Sequence, residues 1–198
     1  MSAPRETLAG PAAFLLEVKK SRHLARAEPI ESPEAALAFI ARVSVPEATH
    51  NVWAYRIGAA YRFSDDGEPA GTAGKPVLAA IDGQGLDGVA VVVTRWFGGV
   101  KLGAGGLVRA YGGAAAEALR TATRRPIVIV ERVEVQVGFA HVQVLHAALA
   151  ACGAVKDAEA FDAGGVRITA TLPSDAVDGL EERLRDATRG LARVFRER

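Results

Sequence analysis

Six consecutive residues, Val89-Ala90-Val91-Val92-Val93-Thr94, show no alternation of apolar and polar side chains. A strand with one wet face needs a polar residue at every second position. An unbroken β-branched run therefore reads as a strand covered on both faces. The next thirty residues narrow the fold further. Gly98 to Gly106 is a glycine-rich turn, and Leu107 to Ala122 is an alanine-rich helical run. Gly112 and Gly113 inside that run cost about 1 kcal/mol each relative to alanine, which fits close packing of the helix on a sheet.

The flanking segments extend the pattern. Ala13–Lys19 and His23–Ala27 read as strands around a turn at Ser21-Arg22. Ser32-Pro33-Glu34 is a helix start, with a serine cap, proline at the first position and an acid in the first turn; this helix runs to about Val43. Val52–Ile57 is a strand. Arg62–Pro76 reads as a loop, and Val77–Ile81 fits a short helix or an extended segment equally. Residues 1–10 read as a loose tail. Beyond Arg125 the texture changes. The strand Ile127–Val137 alternates, His141–Cys152 is a helix, Ala154–Phe161 and Val166–Leu172 are strands, Ser174 caps a helix carrying Val177, Leu180 and Leu184, and Leu191–Phe195 is a last strand. This order is the ferredoxin-like one. The reading is α+β in two domains, residues 1–125 and 126–198.

Charge excludes little. The net charge is +1; residues 1–125 hold 15 Lys+Arg against 12 Asp+Glu, and residues 126–198 hold 9 against 11, giving +3 and −2. A dedicated nucleic-acid binder carries a larger excess, although folding can gather scattered charges on one face. The single cysteine, Cys152, forms no internal disulfide and no metal cluster. No apolar run spans a bilayer and no signal-type segment opens the chain, so no membrane partner and a cytoplasmic setting are expected.

Fourteen of the 21 glycines lie between Gly58 and Gly113, the mark of tight turns or of backbone that approaches something closely. Two stretches there carry chemistry. The first, Arg62 to Pro76, holds Asp65, Asp66 and Glu68 with Ser64, Thr72 and Lys75. Such carboxylates can place Mg²⁺ beside a phosphate, or can make turns by bonding to their own backbone. No other cofactor is indicated. The second, Thr94 to Gly113, follows a strand with a glycine turn and a helix start. Free N–H groups there attract anions, with Arg95, Lys101, Gly103, Gly105, Gly106 and Arg109 as candidate ligands. It matches neither the Walker A nor the dinucleotide pattern. Trp96 and Phe97 can stack on bases or close a core. His50 beside Asn51 can act as a base or simply hold structure. His141 and His146 lie off metal spacing, and Cys152 reads as a small buried hydrophobe.

These motifs carry a resemblance. Lys19-Lys20-Ser21-Arg22, Ala48-Thr49-His50-Asn51 with Ala54-Tyr55-Arg56, Phe63 to Pro76, and Arg95 to Gly113 with Tyr111 resemble the YigZ/IMPACT family over most of the chain. Where family members often have cysteine after His-Asn, this chain has Val52, which argues against a thiol nucleophile there. The resemblance implies a first domain with the ribosomal-protein-like α+β fold shared by domain IV of elongation factor G and the GHMP kinases, and a second like the ferredoxin-like C-terminal domain of elongation factor G. It also implies a link to translation, since eukaryotic IMPACT members regulate it by acting on activation of a stress kinase. They do so through an additional N-terminal domain that is not expected here, so that partner does not carry over. Three functions arise as expectations: an RNA or ribosome binder using Arg56, Arg62, Lys75, Arg95, Lys101 and Arg109; an enzyme acting on a phosphate-containing small molecule; or a protein-interaction module. The oligomeric state stays open.

Overall fold

The structure, a computed structural model, describes residues 5–197. Two compact units divide at Ile127/Val128. No described helix is long and apolar enough to cross a membrane.

The first unit is built on a five-stranded antiparallel sheet. Its strands are β2 (Ala12–Val18), β3 (Ser21–Pro29), β4 (His50–Ile57), β5 (Ala60–Ser64) and β6 (Val89–Trp96), in the order β2-β3-β6-β4-β5. β6 lies at the centre, and Val89 through Val93 are fully buried. The apolar run is two-sided for a reason now visible. Val89, Val91 and Val93 face helices α2 (Gly74–Gly83) and α3 (Ala104–Thr121), while Ala90 and Val92 face α1 (Pro33–Val43). α1 is capped as its sequence requires: Ser32 Oγ accepts from the Ala35 N–H at 3.2 Å.

Several expectations are corrected. The loop expected over Arg62–Pro76 is bounded on both sides, since β5 takes Ala60–Ser64 and α2 begins at Gly74. Val77–Ile81 is helical. α3 starts at Ala104, before the apolar periodicity begins at Leu107. Residues 1–4 of the expected tail lie outside the described residues. Glu6–Leu8 is a strand, β1, pairing antiparallel with β7 (Arg124–Pro126).

The second unit alternates β8 (Val130–Val137), α4 (Val142–Ala151), β9 (Val155–Asp162), β10 (Gly165–Pro173), α5 (Val177–Thr188) and β11 (Arg193–Glu197), with sheet order β11-β8-β10-β9. This is the split βαββαβ arrangement, antiparallel throughout. Val133, Val135 and Val137 point into its core, and Leu180 and Leu184 close it. Ser174 does not cap α5. It opens a single 3₁₀ turn, and α5 starts at Val177 without a side-chain cap.

A side chain fully buried in either core leaves a hole when truncated. Leu119→Ala in α3, at 0% exposure, should lower stability by about 2–5 kcal/mol, read as a drop in the urea midpoint.

Candidate functional site

At one end of the first sheet the apolar face gives way to charge. Cross-strand register places His23 of β3 and His50 of β4 directly on either side of Arg95 of β6. Arg95 falls two residues after Val93 and so shares its face, toward α3. Into this end the β5–α2 loop inserts Glu68, and α3 inserts Tyr111.

Glu68 Oε1 is the meeting point. It accepts from Arg95 Nη1 at 2.5 Å and from Tyr111 Oη at 2.7 Å, and His50 Nε2 stands 3.7 Å away. The side chains of Glu68 and Arg95 are only 5% and 6% exposed. Removing one partner of such a pair strands the other charge in low dielectric. The His50 ring is oriented by its other nitrogen, Nδ1, 2.6 Å from the Asp66 carbonyl oxygen. A carbonyl only accepts, so Nδ1 carries a proton, and Nε2 is the ring nitrogen turned toward Glu68. Burial, with the Glu68 hydrogen bond second, pushes the Tyr111 phenol well above its ordinary pKa. His23, fully buried, packs edge-on against Tyr111 with ring centroids 5.1 Å apart. Burial first, and the Arg95 charge second, lower its pKa to about 4.

The carboxylates of the acidic loop are engaged by the protein's own donors. Asp65 Oδ1 accepts from the Ala73 and Gly74 N–H groups at 3.0 and 2.8 Å, and Oδ2 from Gly71 at 2.8 Å. Burial alone would raise its pKa, but these donors outweigh it and hold the carboxyl low. Asp65 therefore fastens the start of α2. Asp66 Oδ2 accepts from the Asn51 N–H at 2.5 Å, and Glu68 is held by Arg95 and Tyr111. The three carboxylates diverge, and among the described residues no group of three His, Cys, Asp or Glu is placed to hold a metal ion. The side chain of Asn51 is structural too: it spans the N–H and C=O of Val45 and accepts from Thr94 Oγ1.

The glycine-rich turn completes the site. Gly98 lies so close to the Lys20 carbonyl that a Cβ would collide with it, and its N–H donates to Ser21 Oγ at 3.1 Å. Gly103, at φ +71°, swings the chain into α3. The result is a cleft of about 360 Å³ walled by Thr49, His50, Glu68, Arg95, Phe97, Lys101 and the start of α3 at Gly103-Ala104. Gly105 and Gly106 lie in the first turn of that helix. Arg109, one turn on, lines a neighbouring hollow with Lys19 and Leu102.

Other expected residues lie elsewhere. Arg56 is the far end of β4 from His50, roughly 20 Å along the strand. It is committed to Asp82, which raises its pKa, and lies over Tyr61. Arg62 is exposed on edge strand β5 and Lys75 on the first turn of α2, and neither lines the cleft. Trp96 points to the opposite face from Arg95, with the Arg22 guanidinium 4.9 Å above its ring. In the second unit His146 pairs with Glu159 at 3.1 Å, and Cys152 is part-buried against the core. Sequence reasoning missed His23, Thr49 and the roles of Lys19 and Lys20. The turn expected at Ser21-Arg22 falls two residues earlier, at Lys19-Lys20, and Ser21 and Arg22 open β3.

The fold and site define a class: two α+β units, the first carrying a cleft at a helix N-terminus, backed by a buried carboxylate–guanidinium pair. Comparison with known proteins makes that specific, and the chain belongs to the IMPACT family. The Impact N-terminal domain model matches residues 19–119, and the Domain of unknown function (DUF1949) model matches residues 135–191. The chain is 51% identical to the IMPACT family member in the pol 5′ region of Thermus thermophilus, over 87% of this chain and 96% of that one. It is 38% identical to the IMPACT family member YigZ of Escherichia coli, over 92% of each. Protein IMPACT of Mus musculus is 34% identical over 43% of this chain and 29% of its own length. A crystal structure described only as that of a hypothetical protein superposes with a TM-score of 0.73 at 34% identity, covering 100% of this chain and 99% of that one.

The buried cluster has two measurable consequences. Glu68→Gln leaves Arg95 buried without a counter-charge and should cost about 3–5 kcal/mol in urea unfolding. Folded His23 resists protonation, so between pH 6.5 and 4 the unfolded chain binds the extra proton. Stability should fall by up to about 3 kcal/mol as pH drops through that window. In His23→Phe that part of the profile should flatten.

Proposed function

We propose that this protein acts in translation by binding RNA, in the setting of the ribosome, through the basic end of its first unit. The carrying observation is convergence. Lys19 and Lys20 from the β2–β3 turn, Lys101 from the glycine-rich turn and Arg109 from α3 are all exposed around the start of α3. They gather there although the chain is nearly neutral overall. Phe97, 47% exposed, sits beside them with the Arg95 guanidinium 5.5 Å from its ring, a surface on which a base can stack. Phosphates favour such an arrangement of cations and free helix N–H groups. The two-unit α+β layout is compatible with the resemblance to two elongation factor G domains expected from the sequence, and such a resemblance suits the same setting.

Backbone strain at the basic turn supports the reading. Lys19 and Lys20 both have positive φ, 46° and 67°. Two such residues between paired strands form a type I′ hairpin turn, normally built from Asn-Gly. Holding two lysines there costs roughly 1–3 kcal/mol each, a cost found at functional sites. Stability is given up where charge is wanted.

Sedimentation of a cell lysate at low and high salt tests the proposal. The wild-type protein should travel with ribosomal particles at low salt and leave them as salt rises. Lys101→Glu/Arg109→Glu should stay at the top of the gradient, and so should the wild type at all salts if the proposal is wrong. Lys19→Asn/Lys20→Gly should melt higher than wild type yet bind RNA more weakly, with a shallower salt slope.

A further inference from the structure

The cleft at the start of α3 is more specific than a general basic surface requires. The N–H groups of Ala104, Gly105 and Gly106 lie in the first turn, where no intrahelical acceptor exists, while the Leu107 N–H already bonds to Gly103. They sit at the positive end of an 18-residue helix, beside exposed Lys101. Gly105 leaves this approach open: only the Arg109 Nη1 lies within 4 Å of where its Cβ would stand. An independent observation concerns the wall of the same space. Arg95 is 5% exposed and walls the cleft, and its Nε has no hydrogen-bond partner among the described residues.

The opposite wall has the reverse character. Arg95 and Tyr111 both donate to Oε1 of Glu68, so its Oε2 receives neither bond, and His50 Nε2 stands 3.7 Å from Oε1. These groups repel an anion and accept from hydroxyls. Between the walls, Phe97, Leu102 and Leu107 supply apolar surface. The volume, about 360 Å³, lies within the range of small-ligand sites.

We infer that this cleft binds a terminal phosphate with its attached ribose, the end group of a nucleotide. The phosphate oxygens take the α3 N–H groups and Lys101, and the ribose hydroxyls donate to Glu68 and His50. Three free amides match the three terminal oxygens of a monoester, which is also the more highly charged form near neutral pH; a chain-internal phosphodiester offers two oxygens and one charge. The same chemistry comes from a free mononucleotide or from the phosphorylated end of an RNA. Only the second source rests on the RNA reading above.

Two titrations separate these cases. In the first, amide NMR shifts are followed while inorganic phosphate, AMP or adenosine is added to the full chain. AMP should move the Ala104–Gly106 amides in a saturable way, inorganic phosphate should move them more weakly, and adenosine should leave them in place. In the second, a short RNA with a 5′-phosphate should bind about tenfold or more tightly than its 5′-hydroxyl twin. Ala104→Phe, an exposed position that fills the cleft, should abolish both the AMP response and the preference for the 5′-phosphate end. A response to AMP without an end preference assigns the site to a free nucleotide, and an end preference alone assigns it to RNA ends. Unmoved amides together with equal RNA affinities overturn the inference even if RNA binds. An AMP response in a protein that binds no RNA keeps it and removes the RNA reading.

Discussion

The first unit depends on one carboxylate oxygen. Glu68 Oε1 joins the β5–α2 loop to β6 through Arg95 and to α3 through Tyr111, residues 27 and 43 positions away in sequence. The oxygen sits where the apolar layer of Val91, Val93, Leu107 and Ala114 ends. Hydrophobic burial alone cannot fix the end of a sheet, because it has no direction. A desolvated ion pair with a third hydrogen bond has one geometry that satisfies it and is costly in every other. Such a pair adds little net stability against an apolar replacement. It holds the loop, the strand and the helix start in one register.

That register makes the cleft. With Glu68 fixed, the loop that carries it turns the Asp66 carbonyl onto His50, and the ring nitrogen left over faces inward. Gly98 brings the chain after β6 down against the Lys19-Lys20 turn, and Gly103 then sends it into α3. The charged groups that matter are thus placed by backbone constraints on either side of them. The family membership extends the interest of this arrangement, since the Impact N-terminal domain model covers every residue of the cleft and the basic turn.

Much of the fold was legible because it rests on local periodicity. The two-sided burial of β6 could be read from Val89–Thr94, and the α1 cap from Ser32-Pro33-Glu34. The βαββαβ order of the second unit could be read from alternation between Val133 and Val137 and from the helical spacing of Val177, Leu180 and Leu184. The misses share a cause. β5 carries four exposed residues out of five, Ala60-Tyr61-Arg62-Phe63, so it shows no buried face to detect. α3 begins on Ala104-Gly105-Gly106, poor in helix signal, because the preceding turn fixes its start. β1 and β7 take their ladder hydrogen bonds from each other, across more than a hundred residues of chain.

The candidate site divides along the same line. Sequence alone determined that Arg95, Lys101 and the glycines after them form a strand, turn and helix start, since φ > 0 and small size are properties of single residues. It also contained the two uses of the acidic loop without deciding between them. Tertiary structure decided that Asp65 caps α2, that Asn51 braces the α1–β4 connection and that Arg56 is spent on Asp82. It also placed His23, with nothing in its sequence neighbourhood to mark it, beside Tyr111. The physical reason is that a charged side chain's role is set by its partner. Partners across a sheet are chosen by register and packing between distant segments, which no local spacing encodes.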